Sequence, residues 1–107
     1  MEDELEQKES LYDLTGKDPD RSLNLAIILR ALLDLSKPKE DNETVETSLL
    51  RDQAHAWVFA SVGVTCENFV YTCELAGVDP KTIRTFAVKA VTSKDNTEMR
   101  KKLHSFL

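Results

Sequence analysis

Asp79-Pro80-Lys81-Thr82-Ile83-Arg84-Thr85-Phe86-Ala87-Val88-Lys89-Ala90-Val91 carries the clearest periodicity in the chain. Ile83, Phe86, Ala87, Ala90 and Val91 recur at i, i+3, i+4, i+7 and i+8, the spacing of one buried face on a helix. Asp79 is a natural N-cap, and Pro80 suits the first helical position, where its missing N–H leaves no hydrogen bond unmade. With that face turned inward, Lys81, Thr82, Arg84, Thr85 and Lys89 are expected to point away from the core.

Working backwards, Phe69, Val70, Cys73 and Ala76 form the stripe of a preceding helix, capped by Thr65 and closed by Gly77. An earlier helix is expected from Ser48, with Leu50, Ala54, Trp57, Val58 and Ser61 inward, Arg51, Asp52 and Gln53 wet, and Gly63 as its stop. The charged run Lys37 to Glu46 reads as a surface connector. Before it, Asp18-Pro19 opens a helix that is apolar on most faces between Leu23 and Leu35 and is ended by Pro38. A stripe that wide predicts a homo-oligomer, because it exceeds what one intramolecular face normally covers. Beyond the starting segment, Asp95 to Thr97 cap a short last helix with Met99, Leu103, Phe106 and Leu107. No period-2 stretch competes. The expected architecture is all-α, with four main helices plus a short C-terminal helix. Residues 18–107 form a single helical domain behind a mobile acidic arm of residues 1–17.

Residues 69–87 resemble a helix-turn-helix. In that motif a small residue sits in the first helix, and a glycine four positions later supplies a left-handed turn. An apolar residue follows, and a branched residue in the second helix closes the angle. Cys73, Gly77, Val78 and Ile83 stand at those places. The resemblance implies that the second helix meets the major groove of double-stranded DNA, with Lys81, Thr82, Arg84, Thr85 and Lys89 as the DNA-binding residues. The same pattern also describes an ordinary helix pair joined by a glycine cap, whose basic residues are simply solvated.

The stretch Arg51 to Arg84, with Ala54, Ala56, Trp57, Phe69, Cys73 and then Glu-Leu-Ala-Gly-Val-Asp-Pro, resembles a group of small uncharacterised phage and prophage helical proteins. It covers about a third of the chain. Where that group usually carries a short acidic Ser-Asp-Asp before Phe69, this chain has Val64, Thr65, Cys66, Glu67 and Asn68, which makes it a divergent member. The resemblance implies a viral or mobile-element origin and a host-cell cytoplasmic location. The classes that follow by analogy are a DNA-packaging recognition subunit and a transcriptional regulator.

A chain of 107 residues with 41% apolar and 31% charged residues suits one ordinary core. The net charge of −5 is unevenly spread. Residues 1–56 hold 7 basic against 14 acidic residues, whereas residues 78–107 hold 7 against 3, giving a basic tail behind an acidic front. The acidic front supports a second reading, a protein-protein interaction module that inhibits or modulates a host factor. The acidic start has no secretory pattern, and no apolar run is long enough for a membrane span. Cys66 and Cys73, seven apart on one helix, lie about 10.5 Å apart along its axis, beyond disulfide reach. His55 and His104 are in neither a metal nor a triad spacing, and the three glycines are isolated, so no catalytic centre, metal or cofactor is expected.

Overall fold

Asp18 turns its carboxylate onto the Arg21 amide at 3.0 Å, and Pro19 follows, so the first helix of the computed structural model begins on a satisfied cap. The structure describes residues 18–107; the expected arm of residues 1–17 lies outside them. Five helices follow one another, α1 (Pro19–Leu35), α2 (Val45–Phe59), α3 (Gly63–Ala76), α4 (Pro80–Thr92) and α5 (Thr97–Ser105), and the described residues contain no strand. The all-α expectation holds.

α1 is the axis of the fold and touches all four other helices. Ile28, Leu32, Leu33 and Leu35 are buried in it, and they meet Ala54 and Val58 of α2, Phe69, Cys73 and Ala76 of α3, Ala87 and Ala90 of α4 and Leu103 of α5 in one hydrophobic cluster. The wide apolar stripe of α1 is therefore mostly absorbed within the chain, and only Leu23 and Ile27 remain exposed, at 61% and 44%. No helix among the described residues is long and apolar enough to cross a membrane.

Three local expectations are corrected. α2 begins at Val45, because the Thr44 hydroxyl accepts from the Thr47 amide at 3.1 Å and caps the helix one turn before Ser48. It ends at Phe59, so Ser61 and Gly63 fall outside it; Gly63, at φ +85°, is the first residue of α3, and Thr65 lies inside that helix instead of capping it. The inward position expected of Leu50 is exposed, whereas Arg51, expected to be wet, is buried.

Arg51 is buried because the α1–α2 connector wraps around it. Its guanidinium holds the Glu43 carboxylate in a two-bond fork, Nη1 to Oε2 at 2.9 Å and Nη2 to Oε1 at 2.7 Å. It also donates to the carbonyls of Lys37 at 2.9 Å and Pro38 at 3.2 Å. Such a fork favours the carboxylate form, and the Arg51 hydrogen bonds hold Glu43 well below the ordinary 4.5, at about 2. The depressed value means that the stabilisation is complete above about pH 4.5 and is lost as pH falls through about 2. The melting temperature of the wild type should drop across that window. That of Glu43→Gln should start lower and fall less steeply, as read by circular dichroism melts at a series of pH values; parallel curves would show that the fork contributes no acid sensitivity.

Candidate nucleic-acid interface

The helix pair α3 and α4 is joined by Gly77, Val78 and Asp79. Gly77 has φ 74° and ψ 29°, the left-handed region expected of it, and its amide and that of Val78 donate to the carbonyls of Glu74 at 3.1 Å and Cys73 at 3.0 Å. Asp79 then accepts from the Lys81 amide at 2.8 Å, with Pro80 in the first turn of α4. The positions that shape the motif face inward: Cys73 and Ala76 are buried, and Val78, Ile83 and Phe86 pack half-buried against the core. Burial pushes the Cys73 thiol up to about 11, consistent with a packing residue and not a nucleophile.

The buried face of α4 is narrower than its periodicity implies. Ala87 and Ala90 are fully buried, while Val91 is exposed at 40%. On the other side Lys81, Thr82, Thr85 and Lys89 are exposed, and together with Phe86 they line a shallow groove of about 350 Å³. The Thr85 hydroxyl donates to the Lys81 carbonyl at 2.9 Å, which leaves its oxygen as an acceptor toward the groove. The groove carries two ammonium groups. Asp79 at the helix start offsets part of the positive helix dipole there.

Arg84 departs from expectation. It does not point away from the core but folds under α4, where Nε donates to the Val58 carbonyl at 2.9 Å and Nη2 to the Ala60 carbonyl at 2.7 Å. The same Nη2 reaches the Cys66 sulfur at 3.6 Å, and the guanidinium lies over the Phe69 ring, 4.8 Å from its centroid. The reason is the end of α2, which has no basic residue in its last turn and ends on Ala60, so its last carbonyls need a donor from elsewhere. Arg84 supplies it and locks α4 onto the α2–α3 connector.

Of the residues set aside as chemistry, His55 is exposed and tilts against Phe59 with ring centroids 4.7 Å apart. Trp57 is half-buried, with Nε1 donating to Asn68 Oδ1 at 2.8 Å. Both cysteines are free thiols on α3. No group of three or more metal-ligating side chains is gathered among the described residues. Comparisons with protein-family models, curated proteins and solved structures produced no match.

Two outcomes test this geometry. Gly77→Val places a branched side chain at positive φ, with its Cβ 3.4 Å from Arg21 Nε, and should lower stability by about 1 kcal/mol or more in a denaturant titration; an unchanged midpoint would move the bend elsewhere. Arg84→Ala strips two helix-end carbonyls of their donor and removes the cation over Phe69, so unfolding should be easier by about 2 kcal/mol. A wild-type unfolding curve for Arg84→Ala would show that water satisfies those carbonyls equally well.

Proposed function

We propose that this chain is a DNA-binding helix-turn-helix protein of phage type, serving as a DNA-packaging recognition subunit or a transcriptional regulator, with α4 as the element that meets the duplex. The observation that carries this reading is the groove on α4. Lys81, Thr82, Thr85 and Lys89 share one exposed surface, while the opposite face of the same helix is held by Ala87, Ala90 and the Arg84 staple. Lysines supply phosphate contacts and threonine hydroxyls can reach phosphate or base edges. The stretch between Asp79 and Asp95 contains no acidic residue to repel a polyanion. Arg84 enters this reading as a positioning residue that sets the angle of α4, and no longer as an outward reader of a base edge.

Helix-turn-helix proteins commonly act as dimers on paired half-sites, and a homo-oligomer belongs to this reading. Val64, Tyr71 and Leu75 leave an exposed apolar stripe along α3, running from its first turn to its last. A second reading, the acidic interaction module, is favoured by the first turns of α2, where Val45 and Leu49 are exposed next to Asp41 and Glu46.

Gel-shift titrations with random duplex DNA separate the two readings. DNA binding should weaken with salt as counterions are displaced. Lys81→Ala and Lys89→Ala should each weaken binding on every sequence and flatten the salt slope by about 1. Absence of any shift at low salt, or a double lysine variant that binds as wild type, would reject α4 as the contact surface and leave the interaction module.

A further inference from the structure

Of the five helices α5 buries the least. Leu103 is its only buried side chain, Met99 and Arg100 are half-buried, and the helix packs chiefly on α1. Phe106 and Leu107, which follow, stay exposed at 72% and 55%. What fastens α5 is largely polar. Asn96 stands at its N-cap but makes no capping bond to it; its Nδ2 donates instead to the carbonyls of Ser36 at 2.7 Å and Ala90 at 3.1 Å. Arg100 donates from Nη1 to the Leu33 carbonyl at 2.6 Å and to the Ser36 hydroxyl at 2.8 Å. The Ser36 hydroxyl in turn donates to the same Leu33 carbonyl at 3.2 Å.

These bonds serve two helices at once. They seat α5, and they supply donors to the end of α1, which has no basic residue in its last turn and no glycine cap. A helix of 9 residues is too short to persist in water without its packing, so for α5 detachment and unwinding are a single event. The disturbance is bounded on the other side. Arg51 of α2 holds the carbonyls of Lys37 at 2.9 Å and Pro38 at 3.2 Å, so the connector beyond Ser36 stays anchored when Asn96 and Arg100 leave. Earlier in α1, Ile28 and Leu32 remain in the cluster shared with α2, α3 and α4.

We propose that α5 and the last turn of α1 form a latch that opens as one unit while the rest of α1, α2, α3 and α4 stay packed. When the latch opens, the carbonyls of Leu33 and Ser36 lose the donors that Arg100 and Asn96 supply, and the turn that carries them loosens with α5. Leu35, Ser36 and Asn96 line a cleft of about 510 Å³ between the α1–α2 connector, α2 and the end of α4. Opening takes Asn96 out of that lining and widens the cleft. The latch does not depend on the DNA reading.

Native-state hydrogen exchange on the whole chain, read amide by amide, tests it. The Ser36 amide is bonded to the Leu32 carbonyl and that of Lys37 to Asp34, so both report on the last turn of α1. In the wild type these two amides and those of Arg100 to Ser105 should share one opening, with protection about tenfold or more below that of Phe69, Val70 and Cys73 in α3. Arg100→Met keeps the aliphatic reach without the donor and should lower protection in α5 and at Ser36 and Lys37 by the same factor, leaving the three α3 amides unchanged. Leu103→Ala, which touches none of the capped carbonyls through hydrogen bonds, should act on both groups in the same way. Loss of protection in α5 with Ser36 and Lys37 unaffected would overturn the proposal, since α5 would then fray alone. Equal protection of α5 and α3 in the wild type, or a parallel loss in both on Arg100→Met, would overturn it too, because the whole chain would then open as one.

Discussion

A helix that stops must find donors for its last carbonyls, and in this chain two of the helices that build the core stop without the usual means. α1 ends on Ser36 and α2 on Ala60, neither followed by a left-handed glycine nor preceded by a basic residue in the last turn. The missing donors come from arginines and an asparagine far along the chain. Arg100 donates to Leu33 at 2.6 Å, Asn96 to Ser36 at 2.7 Å, Arg51 to Lys37 and Pro38, and Arg84 to Val58 and Ala60. Each of these bonds fastens the end of α1 or α2, or the connector that leaves it, to a residue of a later element, so the same groups that satisfy the backbone also tie the helices together. α3 needs no such help because Gly77 closes it locally.

This arrangement changes how the charge of the chain should be counted. Arg51, Arg84 and Arg100 contribute to the formal total, yet each is directed at carbonyls or a fixed carboxylate and presents little to solvent. The lysines of the described residues all face outward, Lys81 and Lys89 on α4, Lys37, Lys39 and Lys94 near the end of α1, and Lys101 and Lys102 on α5, alongside Arg21 and Arg30 of α1. The division suits the two chemistries. Arginine's planar fork is well matched to paired carbonyls and carboxylates, while the lysine ammonium is a hydrated point charge that remains exchangeable at a surface.

The helices themselves were largely legible in the residues. The Asp-Pro starts at 18–19 and 79–80 and the left-handed glycine at 77 are local signals that need no tertiary context, and all three appear in the structure as read. The start of α2 was misplaced because Thr44 and Ser48 are both competent caps, and the turn between them holds no apolar periodicity to choose between them. The inward turn of Arg51 and Arg84 was not legible at all. A helical wheel counts arginine as polar, and the carbonyls that draw these two inward lie 14 and 26 residues away, on the α1–α2 connector and in the last turn of α2. Lys81, Thr82, Thr85 and Lys89 of α4 face outward as their spacing implies, whereas Arg84 turns inward. The signal that finds Arg84 is a missing one, the unsupported end of α2.

Trp57 is the single tryptophan of the chain, and its surroundings turn it into a built-in optical reporter. Its indole N–H is engaged by Asn68 of α3, its ring stands perpendicular to Phe69 at 5.0 Å, and the Phe69 ring in turn carries the Arg84 guanidinium from α4. One fluorophore thus sits at a junction to which α2, α3 and α4 all contribute, two side chains removed from the helix that carries the exposed lysines. Parting that junction exchanges the carboxamide on the indole for water and withdraws the neighbouring ring. The emission colour and intensity of the unlabelled protein therefore follow the seating of α4, whatever binds to its outer surface.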